Sequence, residues 1–152
     1  MKTLLKLLAV LVVSLSFGGC ATTGPKYSEL IPAAAVSTLP PDTGRFYIYR
    51  TTALGAAVQP EVKLNGDVVG KAVPNGFFYV DEKPGTYEIL TSTEVDRKLS
   101  LLLESGQTRY VRLNISLGFF VGHVYPELID SDIAEKEIQD CRYTGAEMKS
   151  VK

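Results

Sequence analysis

Cysteine and histidine are the side chains most often used for covalent and acid–base chemistry, and this sequence has Cys20, Cys141 and one histidine, His123. A histidine acts as a general base only when a nucleophile lies within hydrogen-bonding reach. The residues around His123 (117–124, LGFFVGHV) are mainly apolar and carry no motif that positions a catalytic serine. We therefore predict that the protein is not an enzyme. The alternative is a small hydrolase with His123 in its site.

Metal ligands and phosphate-binding loops are poorly represented in the sequence. One histidine and one free cysteine, Cys141, cannot form a closed zinc site without carboxylates of unknown position. Asp130-Ser131-Asp132 could contact Ca²⁺, but it lacks the further oxygen ligands that this ion needs, and helix capping explains the same residues. No glycine-rich loop precedes a helix in the pattern that cradles phosphate. We predict no metal and no cofactor.

Cys20 ends a stretch with the order of a secretory signal. The first six residues contain two lysines, Lys2 and Lys6, and an apolar run follows over 7–17. Small residues then precede the cysteine. The apolar run is about half the ~20 residues that a transmembrane helix needs. The order predicts a signal peptide over 1–19 and a mature chain that starts at Cys20.

The sequence Phe17-Gly18-Gly19-Cys20 resembles the bacterial lipobox, whose cysteine is acylated before signal peptidase cuts in front of it. The resemblance implies a lipoprotein carrying diacylglycerol and palmitate on Cys20. Ala21 stands where inner-membrane lipoproteins often carry Asp, which implies the bacterial outer membrane, facing the periplasm. Several acyl chains, at ~0.8 kcal/mol per buried CH₂, would anchor the chain permanently.

Cys141 has no intramolecular partner if Cys20 carries a lipid, although secreted chains live in an oxidising compartment. We interpret Cys141 as a small buried apolar residue near the end of the fold. The alternatives are a disulfide between two chains and a reactive thiol.

The charge of the chain is nearly balanced, with 16 basic and 17 acidic residues and a net charge of −1. No run of five basic residues occurs, so the pattern argues against nucleic acid as a partner. The expected contact with the membrane is the lipid on Cys20 rather than attraction to anionic headgroups.

The predicted chain has four parts. They are the signal peptide 1–19, a lipidated cysteine and tether over 20–43, a β-sandwich domain over 44–145 and a tail over 146–152. The tether is rich in Thr, Ser, Ala and Pro. Residues 27–36 are less polar than a linker should be. They are expected either to form a short helix or to lie against the domain.

The domain reads as a series of strands, because turn signals recur about every 8–15 residues with period-2 patterns between them. Asn65-Gly66 favours a type I′ hairpin turn, and Gly70 marks a bulge or a close approach. No helical pattern separates the strands, so we predict an all-β antiparallel sandwich of about 7–8 strands. The predicted strands are 45–50, 58–64, 68–73, 77–80, 86–92, 99–104, 108–115 and 121–129.

A short helix is predicted near the C-terminus. Asp132 and Glu135 have the spacing of a capping box, with Asp132 as the N-cap. The helix would extend to about residue 140. One arc of it would carry Ile133, Ala134, Ile138 and Cys141.

Five motifs occur in an order that resembles a family of small bacterial lipoproteins defined only as a domain of unknown function. They are 44–50 (GRFYIYR), 62–70 (VKLNGDVVG), 75–78 (NGFF), 83–87 (KPGTY) and 106–112 (GQTRYVR). The resemblance covers about 44–129 and departs from the family pattern at Tyr87 and Arg109. It implies an immunoglobulin-like or transthyretin-like sandwich on a lipid anchor, with no established catalytic residues.

Aromatic and basic side chains in two strands suggest a binding surface. If strands 44–50 and 108–115 lie in one sheet, they share an outward face. Tyrosine and arginine are enriched in binding hot spots and stack on sugars or partner chains. The alternative is that the rings cover the sheet with their hydroxyls in water. The residues of this face are Arg45, Tyr47, Tyr49, Tyr110 and Arg112.

A second candidate surface is the apolar stretch 117–122 (LGFFVG), which contains Phe119 and Phe120. Two interpretations stay open: an irregular strand buried in the core, or a loop that contacts a protein or dips into a membrane, and the exposure of the two phenylalanines would distinguish them. The function that fits these features is a lipid-anchored, non-catalytic β-sandwich that binds or scaffolds an envelope protein or glycan. The alternative hydrolase would act on envelope polymers through His123.

Overall fold

The computed structural model describes residues 24–30, 38–116 and 122–145. Within these residues nine strands form two sheets that pack face to face, so the predicted all-β sandwich with a short C-terminal helix is confirmed. The elements are α1 (Tyr27–Leu30), β1 (Gly44–Arg50), β2 (Glu61–Leu64), β3 (Asp67–Lys71), β4 (Gly76–Glu82), β5 (Gly85–Ser92), β6 (Asp96–Leu103), β7 (Thr108–Ser116), β8 (His123–Ile129), α2 (Ser131–Glu137), a 3₁₀ turn (Ile138–Asp140) and β9 (Arg142–Tyr143).

The two sheets differ in strand direction. Sheet B has the order β3-β2-β5-β6 and is antiparallel throughout. Sheet A has the order β8-β7-β1-β4-β9 and is mixed, because β1 pairs in parallel with β7 and β4 with β9. The predicted antiparallel arrangement therefore describes sheet B and only part of sheet A. Alternation along a strand identifies its two faces but not the direction of its neighbours.

Each of the eight strands predicted from the sequence overlaps an observed strand, and β9 is an addition. Asn65 and Gly66 have φ angles of 48° and 93°, as a type I′ turn requires. The predicted close approach at Gly70 is also present, since a Cβ there would lie 2.7 Å from the Phe78 ring. The β2–β3 pairing shifts register between Val62 and Lys63.

The inner core lies between the two sheets and is almost entirely apolar. From β1 it takes Phe46 and Ile48, which are fully buried, because alternate residues of a strand point to the same face. The buried members of the inner core are Phe46, Ile48, Val62, Leu64, Ala72, Phe78, Ile89, Leu101, Leu103, Val111, Leu113 and Val124.

The C-terminal helix forms as predicted, but its start differs. α2 begins at Ser131 with Asp130 in the N-cap position, and the Asp130 side chain makes no capping hydrogen bond. The assignment of Asp132 as the cap was wrong, because Asp132 already lies in the first helical turn. Ala134 is buried, whereas Ile133 is exposed. Of the predicted arc, Ile138 and Cys141 are buried with Ala134.

Part of the predicted tether is packed on the domain. α1 begins at Tyr27, whose ring is buried, and Lys26 forms an isolated antiparallel bridge with Arg142 of β9. The segment 27–36 was expected to form a short helix or to lie against the domain, and its described part, 27–30, does both. Residues 31–36 lie outside the described residues. Among the residues described, no helix has the length and apolarity to cross a bilayer.

Candidate functional site

The five residues predicted to share a face of one sheet do share it. β1 and β7 are parallel neighbours, with Tyr47 opposite Tyr110 and Tyr49 opposite Arg112. Arg45 has the same parity on β1 as the two tyrosines, so it points to the same side. The sequence-derived grouping of these side chains is confirmed by the register.

The expectation that this face is open to solvent was wrong. Tyr47 is 4% exposed, Tyr49 1%, Tyr110 5% and Arg45 5%. The residues that follow β8, together with α1, lie over the face and cover the rings. Their covering side chains include Ala134 and Ile138 from the C-terminal segment and Tyr27 from α1. A partner cannot reach the aromatic face while these segments are in place.

The covered face forms a second buried layer, which we call the tyrosine layer. Its buried members are Tyr27, Tyr47, Tyr49, Phe77, Tyr110, Ala134, Ile138 and Cys141. Tyr27 packs edge-on against both Tyr47 and Phe77, with ring centroids 5.4 Å apart in each pair. Tyr47 stacks on Tyr110 at 5.3 Å. Both arrangements are favourable for aromatic pairs, so the rings hold the covering segments on the sheet.

Two glutamates of α2 accept hydrogen bonds from the tyrosine layer. The Tyr49 hydroxyl donates to Glu137 at 2.8 Å, and the Tyr110 hydroxyl donates to Glu135 at 3.2 Å. Burial raises the pKa of both tyrosines, and their hydrogen-bonded neighbours raise it further. The hydroxyls therefore stay protonated, and they orient α2 rather than acting as acids or bases.

Arg45 is bound inside the fold. Its guanidinium makes two hydrogen bonds to the Asp81 carboxylate, with Nη2 2.7 Å from Oδ2, and lies 4.3 Å from the centroid of Tyr79. Burial alone would lower the pKa of Arg45, but the bonds to Asp81 and Tyr47 outweigh it and raise the pKa. This paired, stacked arginine stabilises the β1–β4 contact.

Arg112 links α2 to sheet A. Its Nη1 donates to Glu137 at 2.6 Å and its Nη2 donates to Glu127 of β8 at 2.9 Å. The side chain is 25% exposed, so this is the one member of the predicted face that keeps some contact with solvent. Glu137 thus receives bonds from both Tyr49 and Arg112, which fixes the end of α2.

Arg50 is a buried charged residue that the sequence did not lead us to single out. It is fully buried, and its guanidinium donates to four backbone oxygens, those of Leu54, Gly55, Val58 and Ala72. Burial lowers its pKa. A signal was available, because Arg50 follows Phe46 and Ile48 in the inward parity of β1. Its bonds hold the β1–β2 connection against the sandwich.

His123 lies at the start of β8 between two groups of the β5–β6 turn. Its Nδ1 is 3.1 Å from the Thr93 hydroxyl, and its Nε2 is 3.7 Å from the Glu94 carboxylate. A hydroxyl, an imidazole and a carboxylate in contact is the arrangement used in nucleophilic catalysis. The sequence reasoning found no nucleophile here, because Thr93 lies thirty positions earlier in the chain.

Cys141 is buried next to the 3₁₀ turn, as predicted. Its Sγ lies 3.7 Å from the backbone oxygen of Arg50. Burial, followed by the nearby carboxylates of Asp140 and Glu137, raises the pKa of the thiol to about 12. Such a thiol is protonated and unreactive while the fold is closed.

Three predicted site residues lie outside the described residues: the lipidation site Cys20 and the apolar pair Phe119 and Phe120. In the part of the chain that the structure describes, no group of three His, Cys, Asp or Glu side chains is placed to hold a metal ion. Asp130 and Asp132 serve the start of α2.

Comparison with known proteins gives one relative and one family. A protein of Haemophilus influenzae named "Uncharacterized protein" is 29% identical over 140 residues, which cover 90% of this chain and 83% of that protein. No solved structure matches the chain. The family match spans residues 40–124 and overlaps the motifs on which the resemblance rests. With more than half of its length matched, the chain belongs to the family described as "Protein of unknown function (DUF2846)".

Proposed function

We propose that this protein is a lipid-anchored, non-catalytic module of the bacterial cell envelope, held on the outer membrane by acylated Cys20 and facing the periplasm. The observation that carries the proposal is the lipobox-like sequence Phe17-Gly18-Gly19-Cys20 after a basic and apolar start. Behind it the chain folds into a sandwich that buries Tyr27, Tyr47, Tyr49 and Tyr110 in one layer. The module binds or scaffolds an envelope protein or a glycan.

The candidate binding surface is the outer side of the sandwich that no helix covers among the described residues. α1 and α2 cover the outer side of sheet A, whereas the outer side of sheet B, here called the open face, carries no helix among the described residues. Leu102 is 51% exposed and Val68 43%, beside charged residues of neighbouring strands. Lys98 and Glu88 form an exposed ion pair at 3.1 Å. The open face consists of Lys63, Val68, Glu88, Lys98 and Leu102.

Apolar side chains between exposed charges suit a protein or glycan partner, because the apolar atoms supply contact area and the charges supply orientation. The proposed face replaces the tyrosine face as the candidate, since the latter is buried. Neighbouring charges of opposite sign also argue against a purely electrostatic ligand.

The anchor is tested on full-length protein expressed in a Gram-negative bacterium. Mass spectrometry of the mature chain is expected to find an amino terminus at Cys20 carrying fatty acid. The Cys20→Ala variant is expected to lose the lipid and to leave the membrane fraction. A mature chain that begins elsewhere, or that lacks fatty acid, would disprove the proposal.

The binding surface is tested by photo-crosslinking in cells. A photoreactive residue in place of Lys98 or Leu102 is expected to give a defined crosslinked product, whose mass identifies a protein or a glycan. The matched control is the same residue in place of Gln139, which is also exposed but lies on the other side of the sandwich. Equal yields at all three positions would argue against the open face.

A second candidate function is the hydrolase, which one observation favours: Thr93 and Glu94 lie on either side of His123. In this candidate Thr93 is the nucleophile and His123 the base. Purified protein is incubated with peptidoglycan, and the His123→Ala variant is incubated in the same way as the control. Release of soluble fragments that depends on both His123 and Thr93 would support it. Fragment release that persists in His123→Ala would eliminate His123 as the base.

A further inference from the structure

Residues 24–30, here called the N-terminal strap, are bonded to the domain through their first four residues, Gly24 to Tyr27. The Gly24 oxygen accepts from Arg142 Nη1 at 3.0 Å, and the Pro25 oxygen accepts from the Tyr143 backbone N–H at 2.8 Å. The Tyr27 N–H donates to the Cys141 oxygen at 2.9 Å. These bonds make the strap part of the fold rather than a flexible linker.

Side chains fix the strap further. The Tyr27 ring is buried in the tyrosine layer, and Lys26 forms an ion pair with Asp140 at 2.7 Å. Gly24 is packed so closely that a Cβ there would clash with the Tyr143 backbone oxygen. The chain is therefore committed to one path as early as Gly24.

The distance from the lipid to the domain is then set by very few residues. Only Ala21, Thr22 and Thr23 separate Cys20 from Gly24. Four extended steps of the chain reach at most about 14 Å. A free coil over the whole segment 20–43 would instead allow a separation of roughly 25–30 Å.

We propose that the strap holds the domain directly against the phospholipid headgroups, with the edge formed by the strap, β9 and the 3₁₀ turn turned toward the bilayer. The inference rests on the proposed acylation of Cys20. The charged groups at this edge balance, because Lys26 and Arg142 stand against Glu29 and Asp140. Chain length rather than net charge therefore brings the edge to the membrane. The open face of sheet B, in the other layer, is left for a partner.

The test uses full-length, acylated protein in vesicles of phosphatidylethanolamine and phosphatidylglycerol that include a headgroup-spin-labelled lipid. A fluorophore is attached at Gln139→Cys, on the 3₁₀ turn beside the strap, or at Ser100→Cys, on the outer side of sheet B. Cys141, the free buried cysteine, is replaced by alanine in every labelled sample, so that it cannot take the fluorophore when Tyr27→Ala opens the layer around it. Quenching by the lipid is expected to be several-fold stronger at Gln139→Cys than at Ser100→Cys.

Two variants change the tether. A Gly/Ser insertion of about ten residues between Thr23 and Gly24 adds roughly 17 Å of root-mean-square reach. It is expected to lower quenching at Gln139→Cys several-fold. Tyr27→Ala, which frees the strap, is expected to lower it similarly. The insertion lies outside the described fold, so it tests the proposal even if Tyr27→Ala fails to fold.

Mass spectrometry of every sample distinguishes a protein that lacks the lipid from an acylated protein whose edge does not face the membrane. Protein without fatty acid on Cys20 would overturn the proposed function and this inference together. Acylated protein in which the insertion leaves quenching unchanged, or in which Ser100→Cys is quenched more than Gln139→Cys, would overturn only the membrane-facing edge.

Discussion

The inner core and the tyrosine layer are built from different chemistry although β1 supplies residues to both. Phe46 and Ile48 enter an apolar core between two sheets, whereas Tyr47 and Tyr49 enter a layer where hydroxyls meet carboxylates. Every residue of β1 is buried as a result. A strand buried on both sides need not be apolar on both sides, provided that its polar atoms find partners.

The two layers also differ in where their parts come from. The inner core joins strands from the middle of the chain, while the tyrosine layer is closed by the strap 24–30 and by residues 131–143 near the other end. Short terminal segments open more readily than central strands. We therefore expect the tyrosine layer to open before the inner core.

The largest effect is expected in the inner core. Phe46→Ala removes a fully buried ring and leaves a cavity between the sheets, so the free energy of unfolding should fall by about 3–5 kcal/mol. Denaturant unfolding followed by far-UV circular dichroism measures the loss. Leu102→Ala, at an exposed position, is the control and should change stability little. Equal losses in both variants would contradict the assignment of the inner core.

A smaller and more local effect is expected from Tyr27→Ala. Removing the ring frees the strap and should cost up to about 3 kcal/mol. The Cys141 thiol, whose pKa is raised to about 12 by burial, should then approach ordinary reactivity. Alkylation by iodoacetamide under native conditions measures this opening. Continued protection of Cys141 in the variant would show that the layer stays closed without the strap.

Single hydroxyls in the tyrosine layer should contribute less. Tyr49→Phe removes the 2.8 Å hydrogen bond to Glu137 and should lower stability by about 1 kcal/mol. Tyr125→Phe on β8 is the matched control. Combining Tyr49→Phe with Glu137→Ala should cost less than the sum of the single changes, because each of them removes the Tyr49–Glu137 bond, whereas the loss of the Arg112–Glu137 pair is counted once, in Glu137→Ala. Full additivity would argue that the bond contributes nothing.

Acid should lower the stability of the fold slightly, through the contact between Arg112 and Glu127. The hydrogen bond from Arg112 lowers the pKa of Glu127 below its ordinary value. A carboxylate whose pKa is lower in the folded state stabilises the fold above its unfolded pKa, near 4.3. That contribution is lost as pH falls through the lower, folded pKa. Denaturation from about pH 6 to about pH 3 should therefore be less pH-dependent in Glu127→Gln than in the parent. Glu61→Gln is the exposed control.

Alternation and turn residues were enough to predict the strands, the Asn65-Gly66 hairpin and the side of β1 on which Tyr47 lies. They could not predict that α1 and α2 would cover this side. Four residues of α1 have too little periodicity to reveal a packed helix, and burial of Tyr27 depends on rings supplied by distant strands. Whether this side of β1 is covered depends on tertiary contacts and not on local structural preference.

The parallel β1–β7 pairing was equally hidden, because nothing within either strand encodes the direction of its neighbour. The surroundings of His123 show the same limit. Its contact with Thr93 depends on the β5–β6 turn meeting the start of β8 across the sandwich. Arg50 differs, since its inward parity was readable and only its four oxygen partners were not.

The hydrogen bonds of the Arg50 guanidinium within the described structure all go to main-chain oxygens, those of Leu54, Gly55, Val58 and Ala72. Main-chain oxygens are common to all residue types, so the identity of side chains such as Leu54 is irrelevant to this junction. The exposed Leu54 side chain can therefore change without loss of these bonds, whereas Gly55 must remain glycine, because its φ is 63° and a Cβ there would clash with Ile115. Lysine cannot replace Arg50, because a single ammonium group cannot span four oxygens as a planar fork does.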